Sequence, residues 1–151
     1  MTTIYEAAGG MEVLVRLAEA THERCLADDL LNHPFSHADN HPEHTTRLAA
    51  YWAEALGGPA TYTEAMDGSE THVQRLHAAE GSYMEEASPR FVACVVDSYD
   101  DAGVPDDPRV RQAITDYVRW AALGPFRAWP SSADDVPADL PMPRWGWDGP
   151  T

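Results

Sequence analysis

The sequence contains no lysine, so arginine is its only strongly basic residue. Its 151 residues include 10 basic side chains against 25 acidic ones, for a formal net charge of −15 at pH 7. A surface this acidic repels phosphate backbones and anionic lipid headgroups. We therefore expect neither a nucleic acid nor a membrane among the partners of the protein.

Cysteines and long apolar runs are also scarce. Cys25 and Cys94 form no Cys-x-x-Cys pair, which favours two buried thiols in a reducing compartment. The chain does not open on a basic start followed by an apolar stretch, as a secretion signal would. Apolar runs such as Phe91 to Val96 are far too short to cross a bilayer. These absences predict a soluble, cytoplasmic protein.

The common catalytic signatures are missing as well. The sequence has no GxGxxG, Walker loop, GxSxG or HExxH pattern. The adjacent acidic pairs Glu85-Glu86 and Asp100-Asp101 diverge on a helix and cannot share a proton. Nothing in the sequence therefore indicates a hydrolase.

Helical periodicity is what the sequence does contain. Apolar residues recur at three- and four-residue steps, and no segment alternates with the period of a strand. The first predicted helix covers residues 11–31 after an entry turn at Gly9-Gly10, and the second runs from Asn40 or His41, with Pro42 in its first turn, to Leu56. A short helix is predicted over residues 70–79. Two more helices follow, one opened by Ser88-Pro89 and ending near Gly103, the other opened by Asp107-Pro108 and closed by Gly124-Pro125. Gly57-Gly58-Pro59 stops the second helix, and residues 59–69 are expected to form a loop or one turn. The chain is predicted to be all-α.

The composition changes after residue 128. Residues 129–151 hold five of the 12 prolines and three of the five tryptophans. Proline disfavours a helix there, yet a disordered tail would rarely carry Trp129, Trp145 and Trp147. We expect residues 1–128 to form the domain, and the rest to lie on it as an extended strap that buries one or more rings. A peptide that docks on a partner is the alternative.

Seven histidines are the most informative feature of the chain. Imidazole ligates metals and titrates near neutral pH. On the second predicted helix, His44, Leu48 and Trp52 share one face, and Arg47 lies at its flank. A surface that faces a ligand has this pattern, and so does an ordinary core stripe with a boundary histidine. His77 ends a short helix, where its apolar neighbours could pack against a flat apolar object.

These residues together resemble the truncated haemoglobins, in particular the bacterial group II branch. The resemblance is carried by IYEAAGG near the start, HPF before the second helix, RLAAYWAEALGGPATYTE across its end, a lone histidine further along, and LGPF at the end of the last helix. It covers about residues 3–126, and the GGP block with its downstream Tyr62 is its most specific part. It implies a two-over-two helical sandwich around haem b.

The resemblance implies a role for each matching residue. His77 takes the place of the proximal histidine, the axial ligand of the iron. Phe35 matches the aromatic residue that wedges against the haem. His44 matches the distal position above the haem, and Leu48 the apolar residue one turn later. Arg47 matches a basic residue that reaches a haem propionate.

Two positions depart from the family pattern. His22 stands where the family usually has a tyrosine that hydrogen-bonds oxygen, and Phe91 stands where group II usually has a tryptophan. Phe91 cannot donate an indole hydrogen bond, so His22 and His44 would supply the distal donors. Tyr62 and Arg75 are further candidates for the propionate edge.

The function that the resemblance implies is reversible binding or transport of O2, NO or CO by a monomer or homodimer. Nitric oxide detoxification and peroxidase-like turnover, with a reductase as partner, are the candidate reactions. Two alternatives stay open. Four histidines could hold a non-haem metal (His33, His37, His41 and His44), although Pro34 and Pro42 interrupt any helix that would align them. The Trp-rich tail could make the chain a haem-free adaptor.

Overall fold

The computed structural model describes residues 2–32, 43–78, 83–123 and 133–151. In chain order, its helices are α1 (Ile4–Ala8), α2 (Gly10–Ala27), α3 (His44–Ala55), α4 (Thr61–Glu64), α5 (Glu70–Ala78), α6 (Tyr83–Asp97), α7 (Tyr99–Ala102) and α8 (Pro108–Leu123), followed by a short 3-10 helix (Ala133–Asp135) and a hairpin of β1 (Trp145–Gly146) and β2 (Gly149–Pro150). The all-α prediction is confirmed. Within the described ranges, no helix is long and apolar enough to cross a membrane.

Two pairs of helices build the core. Helix α2 packs against α3, α6 packs against α8, and the two pairs meet mainly through α2 and α6. Leu14 and Leu17 of α2 and Ile114 and Tyr117 of α8 are at most 2% exposed. Each such leucine or isoleucine side chain contributes about 1.5–3 kcal/mol by leaving water. The predicted two-over-two sandwich is confirmed.

The N-terminal region contains a helix that the sequence analysis missed. Helix α1 has only five residues, which is too short for its periodicity to be recognised. Gly9 ends α1 and begins α2 with a φ of +114°, and a Cβ there would lie 2.5 Å from Val13 Cγ2. The Gly9-Gly10 turn therefore requires glycine at its first position.

The predicted end of the first long helix at residue 31 was wrong. Helix α2 ends at Ala27 because the Asp28 side chain supports a turn instead. Its Oδ1 accepts the backbone N–H groups of Leu30 at 2.8 Å and Leu31 at 3.1 Å. Short acidic side chains compete with the helix for backbone donors in this way.

The helix predicted from Ser88-Pro89 to Gly103 begins earlier and is interrupted, while its stop at Gly103 is confirmed, because α7 ends at Ala102 and Gly103 adopts a φ of +75°. Helix α6 begins earlier, at Tyr83, and includes Pro89. Proline removes one backbone hydrogen bond, but Ala87 is buried in a cluster with Cys25, so packing keeps this turn helical. The helix then breaks at Ser98, whose Oγ donates to the Cys94 carbonyl at 2.6 Å, a bond that commonly bends helices.

The remaining helix predictions agree with the structure where it can be compared. Helix α3 begins at His44, and the predicted start around Pro42 lies outside the described residues, as does the Gly124-Pro125 stop. The stop at Gly57 is confirmed, and the 59–69 stretch contains one helical turn, α4. Glu54, only 1% exposed, joins α3 to α4 by accepting the Thr63 N–H at 3.0 Å and its hydroxyl at 2.9 Å.

The described part of the C-terminal extension lies on the domain as a strap. The Trp145 ring lies 5.3 Å from that of Trp120 and 6.1 Å from that of Tyr117, between ring centroids. Trp147 Nε1 donates to the Thr2 carbonyl at 2.9 Å. The expected strap is therefore present over residues 133–151, while Trp129 and the predicted boundary after residue 128 lie outside the described residues.

The two cysteines are buried free thiols, as predicted. They pack with Leu31 and Ala87 between α2 and α6. Burial and the neighbouring Cys94 thiol raise the pKa of Cys25. A thiol in such surroundings stays protonated and unreactive.

A buried carboxyl connects α3 to α5. Tyr51 donates its phenol hydrogen bond to Glu70 Oε2 at 2.7 Å, and Gln74 Nε2 donates to Glu70 Oε1 at 2.8 Å. Glu70 and Gln74 are at most 5% exposed. Burial raises the pKa of the Glu70 carboxyl, while these two hydrogen bonds oppose the rise.

We expect Glu70→Gln to remove a pH-dependent loss of stability. Because its pKa is raised on folding, the Glu70 carboxyl holds its proton to higher pH in the folded chain than in the unfolded chain. Its contribution to the free energy of unfolding therefore falls as pH rises above the ordinary carboxyl range. Urea unfolding between about pH 4 and pH 8 should show a flatter profile for Glu70→Gln than for the wild type. Glu64→Gln, which changes an exposed carboxyl, should keep the wild-type profile, and a Glu70→Gln profile that also matches the wild type would contradict the assignment.

Candidate functional site

A cleft of about 460 Å³ lies between α3, α4, α5, α6 and α8, a size typical of small-molecule sites. Its walls are mostly apolar or aromatic, with a few imidazoles and an arginine among them. The lining residues are His44, Arg47, Leu48, Tyr51, Trp52, Tyr62, His72, Val73, Leu76, His77, Phe91, Val118, Ala121 and Ala122.

One face of α5 supplies the residues around His77. Residues 72, 73, 76 and 77 line the cleft together because these positions share a side of a helix. His77 Nδ1 is 2.7 Å from the Val73 carbonyl oxygen. A carbonyl can only accept, so Nδ1 carries the proton and the lone pair of the neutral ring is on Nε2. Metal-binding histidines are commonly oriented by this kind of bond.

Leu76 shows that the cleft exposes apolar surface. Its side chain is 56% exposed, an unusual value for a large aliphatic residue, and it lines the cleft one position before His77. A flat apolar ligand in the cleft would cover this side chain and remove apolar surface from water.

The α3 wall presents His44, Leu48 and Arg47, in the arrangement predicted from the sequence. Arg47 Nη1 donates to the Met66 carbonyl at 3.0 Å, and its guanidinium carbon lies 5.4 Å from the centre of the Tyr62 ring. Both of these contacts of the Arg47 guanidinium are with uncharged groups, a backbone carbonyl and an aromatic ring. It can offer further N–H donors to an anion.

His22 lies next to His44 on the neighbouring helix. The two ring centroids are 5.6 Å apart and the ring planes are inclined by 52°. His44 lines the cleft, and His22 is not among the lining residues. The structure therefore brings the two predicted distal histidines together but exposes only one of them to a ligand.

Two tyrosines form the inner part of the α3 and α4 walls. The Tyr51 and Tyr62 rings meet edge to face, with centroids 5.4 Å apart. Burial raises the pKa of both phenols, and Arg47 partly opposes the rise for Tyr62. Both side chains therefore remain neutral phenols at neutral pH. Gly68 lies against this wall, where a Cβ would be 2.3 Å from Tyr62 Cζ.

Most of the site residues predicted from sequence meet at the cleft. Those that line it are His44, Arg47, Leu48, Tyr62, His77 and Phe91. Phe35 lies outside the described residues, so its role stays a prediction. Arg75 is not among the lining residues, and it donates instead to the Val136 carbonyl at 3.2 Å. The structure therefore does not bring Arg75 to the cleft.

Among the polar residues that line the cleft, Tyr51 and His72 were not predicted from the sequence. Tyr51 is seven residues after His44, so it returns to the same face of α3 after two turns. His72 is five residues before His77 and flanks the same face of α5. Helical spacing measured from the two candidate histidines would have found both.

The residues of the cleft fit a haem group. Within the four described ranges, no three His, Cys, Asp or Glu side chains are grouped closely enough to hold a bare metal ion. A lone imidazole such as His77 holds iron only when the iron brings its other ligands, as it does in haem. The apolar walls suit the porphyrin faces, and Arg47 suits a carboxylate. His33, His37 and His41 of the alternative cluster lie outside the described residues.

Comparison with known proteins identifies a family for the chain. The family model of bacterial-like globins matches residues 3–120. No curated protein sequence matches the chain.

Several solved haemoglobins share the fold. The haemoglobin of the thermophilic phototroph Chloroflexus aurantiacus is 27% identical, with a TM-score of 0.65 over 82% of this chain and 96% of that one. A thermostable haemoglobin from Thermobifida fusca is also 27% identical, with a TM-score of 0.66 over 84% and 98%. The group II truncated haemoglobin of Bacillus anthracis, at 20% identity and a TM-score of 0.66 over 82% and 89%, resembles this chain in fold alone.

Membership of a globin family implies haem binding and the binding of diatomic gases. The match covers most of the chain and includes every described residue of the cleft except Ala121 and Ala122. The chain belongs to the bacterial-like globin family, that of the truncated haemoglobins.

Proposed function

We propose that this protein binds haem b through His77 and uses it to bind O2 or another diatomic gas reversibly. The observation that carries the proposal is the hydrogen bond from His77 Nδ1 to the Val73 carbonyl in an apolar cleft. It orients the ring and leaves Nε2 as the nitrogen that can ligate iron. When bound, haem supplies an iron atom that coordinates the gas.

Arg47 is proposed to recognise a haem propionate. The chain carries a net charge of −15, which disfavours an anionic ligand, so a positioned cation at the cleft matters. Arg47 is held by the Met66 carbonyl and the Tyr62 ring, and guanidinium–carboxylate hydrogen bonds are among the strongest in proteins. Tyr62 is proposed to support Arg47 at this edge.

His44 is proposed as the distal donor, with His22 acting through it. His44 lines the cleft, where its imidazole can donate a hydrogen bond to a bound gas. The His22 ring is close enough to restrict how the His44 ring turns. Phe91 and Leu48 contribute apolar wall and no hydrogen bond, so neither of them competes with His44 as the donor to the gas.

A redox reaction of this site is proposed on the chemistry of His44. An imidazole can hold or deliver a proton at a ring nitrogen, which peroxidase-like turnover requires; nitric oxide dioxygenation consumes no proton, and there the imidazole N–H would only hold the gas by a hydrogen bond. Either reaction needs an electron donor, and a reductase that docks on so acidic a chain would present a basic surface. Buried reduced thiols are consistent with activity in the cytoplasm. Rapid mixing of the protein with NO and, separately, with peroxide would decide between the two reactions.

We expect His77→Ala to lose the axial ligand of the iron. Purified wild type titrated with haem should give a strong absorption band in the ferric and ferrous-CO forms, and His77→Ala should give a weaker, displaced band. Added imidazole should restore the wild-type spectrum of the variant because it supplies the missing ligand.

His72→Ala is the matched control, since His72 lies on the same helix and lines the same cleft. This variant should keep the wild-type spectrum. The proposal fails if the wild type takes up no haem, or if His72→Ala and not His77→Ala loses the band.

We expect His44→Leu to release O2 about 10- to 100-fold faster than the wild type, because a hydrogen bond involving a charged or strongly polarised partner contributes about 1.5–3 kcal/mol. His22→Phe keeps a ring beside His44 and should change the rate several-fold less. Stopped-flow measurement of O2 dissociation gives both rates. A larger effect of His22→Phe than of His44→Leu would contradict the proposal and indicate that His22 is the donor.

A further inference from the structure

The helix that carries His77 packs mainly on the C-terminal extension. Among the described elements, the 3-10 helix Ala133–Asp135 is the principal packing partner of α5, whereas α2, α3, α6 and α8 pack mainly on one another. Since one face of α5 is turned to the cleft, its support has to come from elsewhere.

Two side chains of α5 tie it to the extension. Thr71, which is 4% exposed, donates its hydroxyl to the Pro137 carbonyl at 2.9 Å and accepts the Leu140 N–H at 3.0 Å. Arg75 Nη2 donates to the carbonyl of Val136 at 3.2 Å. The Thr71 hydroxyl thus uses its donor and an acceptor lone pair on two backbone groups of the extension.

These ties lie behind His77. Thr71 and Arg75 are one turn apart on the helix, so they share a face. Arg75 is two residues before His77, which at about 100° per residue places the two side chains on nearly opposite sides of the helix. Neither Thr71 nor Arg75 lines the cleft. The extension therefore supports the back of α5 without entering the cleft.

The other end of the extension is anchored to α8. Trp145 packs on Tyr117 and Trp120 of α8, and the Trp147 ring lies under the Arg109 guanidinium, 4.0 Å from its carbon atom. Helix α8 itself lines the cleft. The described extension thus connects two walls of the same cleft.

We propose that Thr71 and Arg75 are positioning residues, and that through them residues 136–140 set where His77 meets the iron. This inference rests on the proposed role of His77 as the axial ligand. The strength of a metal–histidine bond depends on how the protein holds the ring. Here the ring orientation comes from Val73 on the same helix, so the position of the whole helix decides the position of the ring.

The test uses Thr71→Val in the full chain. Valine has nearly the shape of threonine, but it leaves the Pro137 carbonyl and the Leu140 N–H without their partner. Thr71→Ser keeps the hydroxyl and is the conservative variant. Thr115→Val is the matched control, because that hydroxyl also makes two hydrogen bonds, with Arg111 and Tyr99, but away from α5.

Two readouts separate positioning from general stability. Hydrogen exchange of the α5 amides, measured with and without haem, should be about tenfold faster in Thr71→Val than in the wild type. The iron–histidine stretching band of the ferrous haem protein, measured by resonance Raman spectroscopy, should shift in frequency in the same variant. Thr71→Ser and Thr115→Val should keep the wild-type values in both measurements.

Unchanged exchange and an unshifted band in Thr71→Val would overturn the inference, while the wild-type band would still support the proposed function. A wild type with no iron–histidine band would overturn the proposed function and the inference with it. If Thr71→Val does not fold, Arg75→Ala removes a single bond from an exposed side chain, and the same two shifts are expected in smaller measure. Their absence there overturns the inference equally.

Discussion

The proposed haem site depends on one hydrogen bond, from His77 Nδ1 to the Val73 carbonyl. It lies within a nine-residue helix, α5, so the ring is oriented by its own helix and not by a distant partner. The site is then only as well defined as α5 itself. Helices this short are marginal in water, so tertiary contacts must hold α5 in place.

Those contacts come from two different sides. Glu70 faces inward and accepts hydrogen bonds from Tyr51 of α3 and from Gln74, while Thr71 faces the C-terminal extension. The inward contact places a carboxyl in a buried environment, which is costly when it is ionised. The Thr71 hydroxyl uses backbone groups of the extension and adds no charge. Together they leave one face of α5 for the cleft.

Charge shapes the site as well as the surface. Because the chain has no lysine and a strong excess of acidic residues, a single arginine at the cleft has a large effect on the local electrostatic potential. Arg47 is held by a carbonyl and an aromatic ring, which keeps its guanidinium available to an anionic ligand. The buried tyrosines beside it remain neutral, since burial raises their pKa. Apart from the histidines, Arg47 is the only charged side chain among the described residues that line this mostly apolar cleft.

The sequence by itself determined the helical class and the two long cleft-forming helices α3 and α8, because periodicity and capping are local properties. Its resemblance to the truncated haemoglobins, and not periodicity, implied the candidate residues His77, His44 and Arg47. Only the tertiary structure decided where helices bend and what stands behind the site. Packing around Ala87 keeps Pro89 inside α6, and no local signal reports that. Spacing likewise could not show that Arg75 points away from the cleft to Val136, since that carbonyl is 61 residues away in sequence. Contacts between distant segments form only when the chain is folded. These contacts decide which side chains line the cleft and which hold the helices in place behind it.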